Sequence, residues 1–468
     1  MKSKKKASPS QSNLFNELEL PDGWILTKVR DLVTINYGKG LKEADRRGGS
    51  VSVYGSNGIV GSHNKALTNG PSIIIGRKGS IGEVHYSANP SWPIDTTYYI
   101  DKFEGVDQTF LVFALKMLNL SNLDTSTAIP GLNRDDIYDQ EIPLPPRSEQ
   151  QRIVARVEAL LTHVDAARDR LSRVPLIMKK FRQAVLAAAC SGRLTEGWRE
   201  ENLSDVRVDQ IYEKIQNLRH ERFKNDCESA IKLGQTKPRD QNKNKQSRNQ
   251  VSDLPELPIE WTYYRLEDIS YLITDGTHVT PKYQETGIPF LSVKNVRPFL
   301  IRDNNIKHIS QSEYTQINQR CNPEKEDILY TKVGATYGYA AINRLDYSFS
   351  IFVSLALIKP VKEYFSPEYA EIVMNSEIIF EQARDRISGI GTPDLHLIEI
   401  RDFRIPFPPL AEQHEIVRRV GLLFERADAI EREVVAASRR CERLTQAVLG
   451  KAFRGELVTA GMADFTAI

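Results

Sequence analysis

Two stretches of the chain carry apolar residues at alternating spacings of four and three. The first runs Ile153, Val157, Leu160, Val164, Ala167, Leu171, Val174, Met178, Phe181, Val185. The second runs Ile416, Val420, Leu423, Ala427, Ile430, Val434, Ala437, Cys441, Leu444, Val448. Arg, Glu and Asp fill the other faces, so each stripe is an a/d seam on a long helix. The pattern predicts helical arms over 147–195 and 410–458, each starting after a Pro-Pro pair, Pro145-Pro146 or Pro408-Pro409. An arm of about 40 residues spans about 60 Å at 1.5 Å per residue. Such a seam needs an apolar partner, because propensity alone stabilises a long helix little. Each stripe could pack on its own globular neighbour; the equal length and pattern favour pairing with each other. Pro175 interrupts the first arm where the second has Ser438, which predicts a kink on one side only. The stripe does not fix the direction of pairing; an antiparallel pair would carry the globular segments at opposite ends, about a pseudo-twofold.

The arms belong to a duplication. Ile142-Pro143-Leu144-Pro145-Pro146 recurs as Ile405-Pro406-Phe407-Pro408-Pro409, 263 residues later. At the same offset Glu149-Gln150 matches Glu412-Gln413, Gln183-Ala184-Val185-Leu186 matches Gln446-Ala447-Val448-Leu449, and Gly192 matches Gly455. Ahead of each copy, Leu20-Pro21-Asp22-Gly23-Trp24 resembles Leu257-Pro258-Ile259-Glu260-Trp261 at an offset of 237. The order is globular segment, arm, globular segment, arm, with like arms and unlike globular segments.

Those segments, 21–146 and 257–409, hold short strand-like runs between glycines. In the first, Ser72-Ile73-Ile74-Ile75-Gly76 leads into Arg77-Lys78-Gly79-Ser80-Ile81-Gly82. This basic turn could turn backbone N–H groups and two cations toward phosphate, or be a plain β-turn. It is not a G-x-x-x-x-G-K-[ST] loop. The second segment carries the parallel run Ile328 to Gly338, with Lys332 and Thr336. Its earlier loop, Thr274-Asp275-Gly276-Thr277-His278-Val279-Thr280-Pro281-Lys282-Tyr283, is rich in side chains able to bond base edges. Late loops recur at Ala128 to Arg134, ending Asn133-Arg134, and at Gly389 to His396. Asn and Arg suit bidentate contacts to adenine and guanine, although either loop could be an ordinary surface turn. Lys39 and Lys294 complete the candidate DNA-contacting set.

Composition narrows the class without deciding it. The 468 residues predict two to four domains, and 40% hydrophobic with 26% charged residues is a globular balance. The net charge of +2 argues neither for nor against nucleic acid, so any basic surface is local. Four scattered cysteines without a C-x-x-C exclude a zinc ribbon or disulfide framework and fit a reducing cytoplasm. No run reaches the ~18–20 apolar residues of a membrane span, and the basic start, 1–20, reads as a disordered tail without an apolar signal core. Residues 196–256 read as a helical connector followed by a flexible basic linker, and 459–468 as a tail. No metal site is expected. Asn89-Pro90-Ser91-Trp92 is a near miss to an amino-methyltransferase site, lacking the second proline. Pro393-Asp394 with Glu399-Ile400-Arg401 is a near miss to a nuclease PD…E-x-K, with Arg for Lys. A self-contained methyltransferase or nuclease rests on these two motifs alone.

The duplicated Pro-Pro…Glu-Gln…Ile-Val runs and the Gln-Ala-Val-Leu…Gly endings make the chain similar to type I restriction-modification specificity subunits. Ile75-Gly76-Arg77-Lys78-Gly79-Ser80-Ile81-Gly82, Trp92-Pro93-Ile94-Asp95-Thr96-Thr97 and Asp275-Gly276-Thr277-His278 add to it. The resemblance covers about residues 20–460. It implies an α+β chain: two mixed α/β target-recognition domains, separated by two long repeated helices forming an antiparallel coiled coil. Each domain would read half of a split sequence in double-stranded DNA. The arms would set the gap and dock two methyltransferase subunits, with restriction subunits joining the complex. No catalytic site or cofactor is implied on this chain; S-adenosylmethionine, ATP and Mg²⁺ would bind the partners. Thr331-Lys332-Val333 stands where the first segment has Gly76-Arg77-Lys78. The other reading is a coiled-coil adaptor that binds only proteins.

Overall fold

The strands form where β-branched and aromatic residues run between glycine turns. The computed structural model describes residues 20–123, 131–202, 208–232, 234, 254–387 and 393–457. Residues 1–19 of the basic tail, nearly all of the polar linker, the C-terminal tail and parts of both late loops (128–130 and 389–392) lie outside them. The chain divides into two units, one from 1–173 with 433–468, the other from 174–432.

In the first unit an antiparallel sheet orders Asn36–Tyr37, Thr97–Ile100, Ser72–Gly76 and Val84–Ser87. Ser72–Gly76 is buried throughout, as an unbroken apolar run in a central strand should be. A hairpin of Val51–Gly55 and Gly58–His63 adds Ser91–Pro93 in parallel. Ile25–Lys28 pairs with Glu141–Leu144 and so ties the start of the segment to its end. The helix Gln108–Met117 is capped by Asp107, which accepts from the Thr109 and Phe110 amides.

The second unit repeats this plan from different residues. Its sheet orders Ser270–Asp275, Leu355–Pro360, Ile328–Thr331 and Ala340–Ile342. Ile288–Leu291 pairs antiparallel with Lys307–Ile309 and parallel with Ser350–Ile351, and Thr262–Arg265 pairs with Arg404–Phe407. A helix at Gln311–Asn318, entered through a Ser310/Glu313 capping box, is added. The unlike globular segments therefore share one topology.

The arms are helices of 44 residues each, Arg147–Cys190 and Leu410–Phe453, and the first continues through Pro175. In the first unit Ile153 and Val157 share a core with Leu449, Ala452 and Phe453, and Arg168 donates to Thr445 (3.4 Å). In the second unit Val185, Leu186, Ala189 and Cys190 share a core with Ile416 and Val420, and Arg182 bonds both Asp428 and Glu431. Numbering rises along one helix as it falls along the other, so within each unit the arms run antiparallel. These seam ends also join the globular cores, so both ways of burying the stripe are used. Leu160, Val164, Leu171, Leu423 and Val434 are half-buried along the seam. Ile430 and Leu444 depart from the expected stripe, at 46% and 53% exposed. Glu431 and Thr445 take the facing positions in those turns, where Arg182 and Arg168 reach across and require polar acceptors.

The glutamine of the duplicated Glu-Gln pair fastens arm to domain. Buried Gln150 donates to the Pro145 carbonyl (2.9 Å) and accepts from the Asp107 amide (2.7 Å). Buried Gln413 donates to the Pro408 and Tyr364 carbonyls (both 2.9 Å) and accepts from the Ser366 amide (2.9 Å). Asp107 and Ser366 cap the first helix after the sheet in their respective domains, so the clasp is the same twice. Each arm ends on a left-handed glycine, Gly192 or Gly455, packed on Pro258 or Pro21.

The helical part of the connector is fastened to the second core. Ile211 and Ile215 of the helix Val208–Lys232 enter the second core, and Arg219 donates to the Ser270 carbonyl (2.9 Å). Just before it, Thr195 and Arg199 both bond Glu412, which also accepts from the Trp261 indole (2.8 Å). The equivalent Trp24 indole N–H is buried without a partner among the described residues. Trp261→Phe should therefore cost about 1.5–3 kcal/mol, a hydrogen bond to a charged acceptor, whereas Trp24→Phe should cost far less because no bond is lost. Urea unfolding of the two variants compares them.

Candidate nucleic-acid interface

The site grows from one point of the shared topology. At the end of the first edge strand Gly38 donates to the Thr97 carbonyl (3.0 Å), and Gly276 donates to Leu355 (3.4 Å). Beside it Arg77 donates to Thr96 (2.9 Å) and accepts from Leu132 (3.0 Å); Lys332 donates to Ser354 (3.0 Å) and accepts from Leu395 (2.9 Å). Arg77 and Lys332 are therefore equivalent, as are Tyr37 and Asp275, the residues just before the two glycines. Both glycines are forced by close approach: a Cβ would lie 2.0 Å from the Ile94 carbonyl oxygen at Gly38 and 2.0 Å from that of Ile351 at Gly276.

In the first domain four of the five expected basic or amide side chains gather here. Tyr37, 51% exposed, receives the guanidinium of Arg77 (5.1 Å) and of Arg134 (5.1 Å) on its ring. Arg77 also lies over Tyr98 (5.7 Å), and Arg134 over Tyr138 (5.8 Å). Burial, then the neighbouring Tyr37, pushes the Tyr98 hydroxyl above its ordinary range against the pull of Arg77. Lys78 is exposed beside Arg77. Exposed Lys39 follows Gly38, and its carbonyl accepts from the Trp92 indole (2.8 Å). Ser80 is half-buried in the turn. Most of the turn's amides are engaged within the domain: the N–H groups of Gly76, Arg77, Lys78, Ile81 and Gly82 all donate to its carbonyls. Asn133 caps the short helix Arg134–Tyr138 by accepting from the Asp135 amide (3.2 Å), which orients Arg134.

The second domain fills the same place with an ion network. Asp275, 3% exposed, accepts from Arg320 (3.1 Å) and lies 3.7 Å from Lys332 and 3.4 Å from His278. Lys332 has surroundings unlike those of Arg77. It is 5% exposed and held between Asp275 and Asp394 (3.7 Å each), so its charge is satisfied inside the domain. Thr277 closes a turn on Val279, and the exposed His278 sits on that turn. Exposed Lys282 receives the Glu313 carboxylate at its amide, not its ammonium (2.9 Å). Half-buried Thr336 lends its carbonyl to Thr331. Exposed His396 starts the helix Leu397–Arg401, and Lys294 is exposed in the turn before Val296–Arg297.

The near-miss catalytic motifs are engaged structurally. Ser91 is fully buried in a hydroxyl cluster with Thr68 (3.0 Å) and Ser72 (3.1 Å). Asp394 faces Lys332, and Arg401 donates to the Ile273 carbonyl (2.9 Å). No group of His, Cys, Asp and Glu able to hold a metal occurs among the described residues. All four cysteines are free, and no described helix is long and apolar enough to cross a membrane.

Sequence reading missed Tyr37, Tyr98 and Arg320 as site residues and held Asp275 only as part of the loop Thr274 to Tyr283. One signal was present: Tyr37-Gly38 and Asp275-Gly276 stand 238 residues apart, close to the 237 that separates the domain starts.

The family model for the type I restriction modification DNA specificity domain matches residues 21–175 and 258–435. The EcoBI type I restriction enzyme specificity subunit of Escherichia coli is 26% identical over 97% of this chain and 90% of its own length. The EcoDI specificity subunit of Escherichia coli is 25% identical over 95% and 91%. A chain from a solved structure concerned with complex assembly and conformational transition of the type I R-M system has the same fold. Its TM-score is 0.56 at 17% identity, covering 94% of this chain and 99% of that one.

Proposed function

The chain belongs to the type I restriction modification DNA specificity family, and from that premise we propose that it is the non-catalytic, sequence-reading subunit of a type I restriction-modification complex. Each globular domain reads one half of a split target in duplex DNA. The paired arms set the gap between the halves and dock two methyltransferase subunits, and restriction subunits complete the assembly. S-adenosylmethionine, ATP and Mg²⁺ act on those partners, so this chain contributes recognition and no bond-making step.

The observation that carries this reading is one topology built twice with different side chains at the same point, Tyr37 with two arginines in one domain and Asp275 with Lys332 in the other. A repeated scaffold with exchanged readers suits two different short words. Each good bidentate contact discriminates by about 1–3 kcal/mol, so several per half-target are required. Phosphate contacts by lysine and arginine hold the register and make affinity fall with salt.

Methylation-sensitive sequencing of DNA from cells carrying the complex should return a split motif. Exchanging residues 21–146 for the matching domain of a relative should change one half of it and leave the other. A motif unaltered by the exchange, or methylation by the purified chain alone, would overturn the reading. Lengthening both arms by one heptad should change the gap while both halves stay the same, because a seven-residue insertion preserves the seam. An unaltered gap would remove the spacing role.

A further inference from the structure

The equivalent positions Tyr37 and Asp275 are filled by groups that treat a neighbouring cation in opposite ways. An aromatic face attracts a guanidinium without neutralising it, whereas a buried carboxylate cancels the charge beside it. At Tyr37 two guanidinium groups lie over one ring, each 5.1 Å from its centre. Neither forms an ion pair with a carboxylate among the described residues. Their carbonyl hydrogen bonds among the described residues are long, Arg77 to Asp95 and Arg134 to Ile35, both 3.4 Å, and Arg77 also bonds the Tyr98 hydroxyl. A guanidinium carries five donors in a planar fork, so beyond the buried Nε of Arg134 several donors are unspent among the described residues. Lys39 and Lys78 are exposed close by in sequence and carry the same sign. At Asp275 the cations are already answered, with Arg320 bonded to its carboxylate (3.1 Å) and to its own carbonyl (2.9 Å), and Lys332 lying between Asp275 and Asp394.

We infer that this one position sets how each domain meets DNA: Tyr37 is a positioning residue that presents Arg77 and Arg134 to paired acceptors of the first half-target with their charge intact, and Asp275 makes the second domain a charge-balanced, hydrogen-bonding reader. The inference rests on the proposed DNA-reading function. The paired acceptors are those of a guanine edge or of a phosphate, which share the geometry that a planar fork matches. Asn133 supports the arrangement from below, because its cap fixes the start of the helix that carries Arg134.

The test uses the assembled complex and a duplex bearing its split target, with either half scrambled in turn. Tyr37→Leu keeps apolar bulk and removes the ring, and should weaken binding by about tenfold, the worth of two exposed cation–π contacts. The loss should be seen only while the first half is intact. Tyr37→Phe keeps the ring and should restore binding to within about twofold, which a role for the hydroxyl would not allow. Tyr37→Asp installs the second domain's group. It should weaken binding further and lower the salt slope by about one for each phosphate no longer held. An unchanged slope with relaxed preference at one base pair assigns the arginines to a guanine edge and equally supports the inference. Asp275→Asn should alter binding through the second half alone.

Wild-type affinity for Tyr37→Leu, or an equal loss with the first half scrambled, overturns the inference and leaves the DNA-reading function standing. A wild-type complex with no preference between intact and scrambled duplexes overturns both. Thermal unfolding checks that Tyr37→Leu folds. Should it not, the Arg77→Ala and Arg134→Ala pair carries the same comparison, since those side chains are half-exposed.

Discussion

Gly276→Ala is expected to destabilise the second unit by about 4 kcal/mol or more, beyond the ordinary range for a single added methyl. The reason is geometric. The new Cβ would lie 2.0 Å from the Ile351 carbonyl oxygen and 2.4 Å from its carbonyl carbon. These are backbone atoms of the strand Ser350–Ile351, which is itself paired to Ile288–Leu291, so neither side can yield by changing a rotamer. The strand end must separate, and with it the placement of Asp275 and Thr277. Gly38→Ala should behave alike in the first unit, where the obstacle is the Ile94 carbonyl. Urea unfolding and limited proteolysis of the full chain measure the loss. The proposed reading of a split target gives a second readout, in which Gly276→Ala should abolish the second half and Gly38→Ala the first. Near-wild-type stability for both variants would show that the two close approaches are not rigid.

Glu412→Ala should cost about 3–5 kcal/mol, the usual consequence of removing one partner from a buried charge pair. Glu412 is 2% exposed and collects four donors: two from the Arg199 guanidinium (2.8 and 3.0 Å), the Thr195 hydroxyl (2.7 Å) and the Trp261 indole (2.8 Å). Arg199 also lies over the Trp261 ring (5.5 Å), so the residues after the first arm are fastened to the start of the second domain and of the second arm together. Deleting the carboxylate strands a guanidinium and an indole donor away from water. Glu412→Gln keeps the shape and some of the bonds, and should lose less. Glu149→Ala is the matched control, because Glu149 holds the same place in the first arm without a comparable set of donors among the described residues; its effect should stay within about 0.5–1 kcal/mol. Equal losses at 149 and 412 would show that the measurement reports helix starts in general and not this cluster.

The arms were legible because a helix seam is a one-dimensional pattern. A fixed spacing of four and three, repeated 263 residues later with the same Glu-Gln and Gly markers, needs no knowledge of neighbours to be read. Individual seam positions were less legible. Ile430 and Leu444 satisfy the spacing as well as Glu431 and Thr445 do, and the choice between them is made by Arg182 and Arg168 on the other helix. The helical character of the connector was legible but its docking surface was not: a charged, amphipathic segment is stable only through what it packs on, and Ile211 and Ile215 find that surface in the second core.

The candidate site shows the same division more sharply. Sequence supplied the cations, since Arg77, Lys78, Arg134 and Lys332 stand in glycine-bounded turns or late loops, where side chains are free to face a ligand. It could not tell which charges remain available. Lys332 looked equivalent to Arg77 and is equivalent in backbone position, yet Asp275 and Asp394 neutralise it. Tyr37 attracted no notice as a lone tyrosine before a glycine, and it organises two arginines.

By itself, then, the order of residues determined the duplication, the two arms, their seam and the presence of two separate globular segments, because each follows from periodicity or from repeated local chemistry along the chain. The seam left the direction of pairing open, and the antiparallel sense within each unit, implied beforehand only by the family resemblance, came with the tertiary structure, as did the common topology of two dissimilar domains and the electrical state of the cations. Those depend on which groups, distant in number, are brought within a few ångströms, where a carboxylate cancels a charge and an aromatic ring leaves it in force.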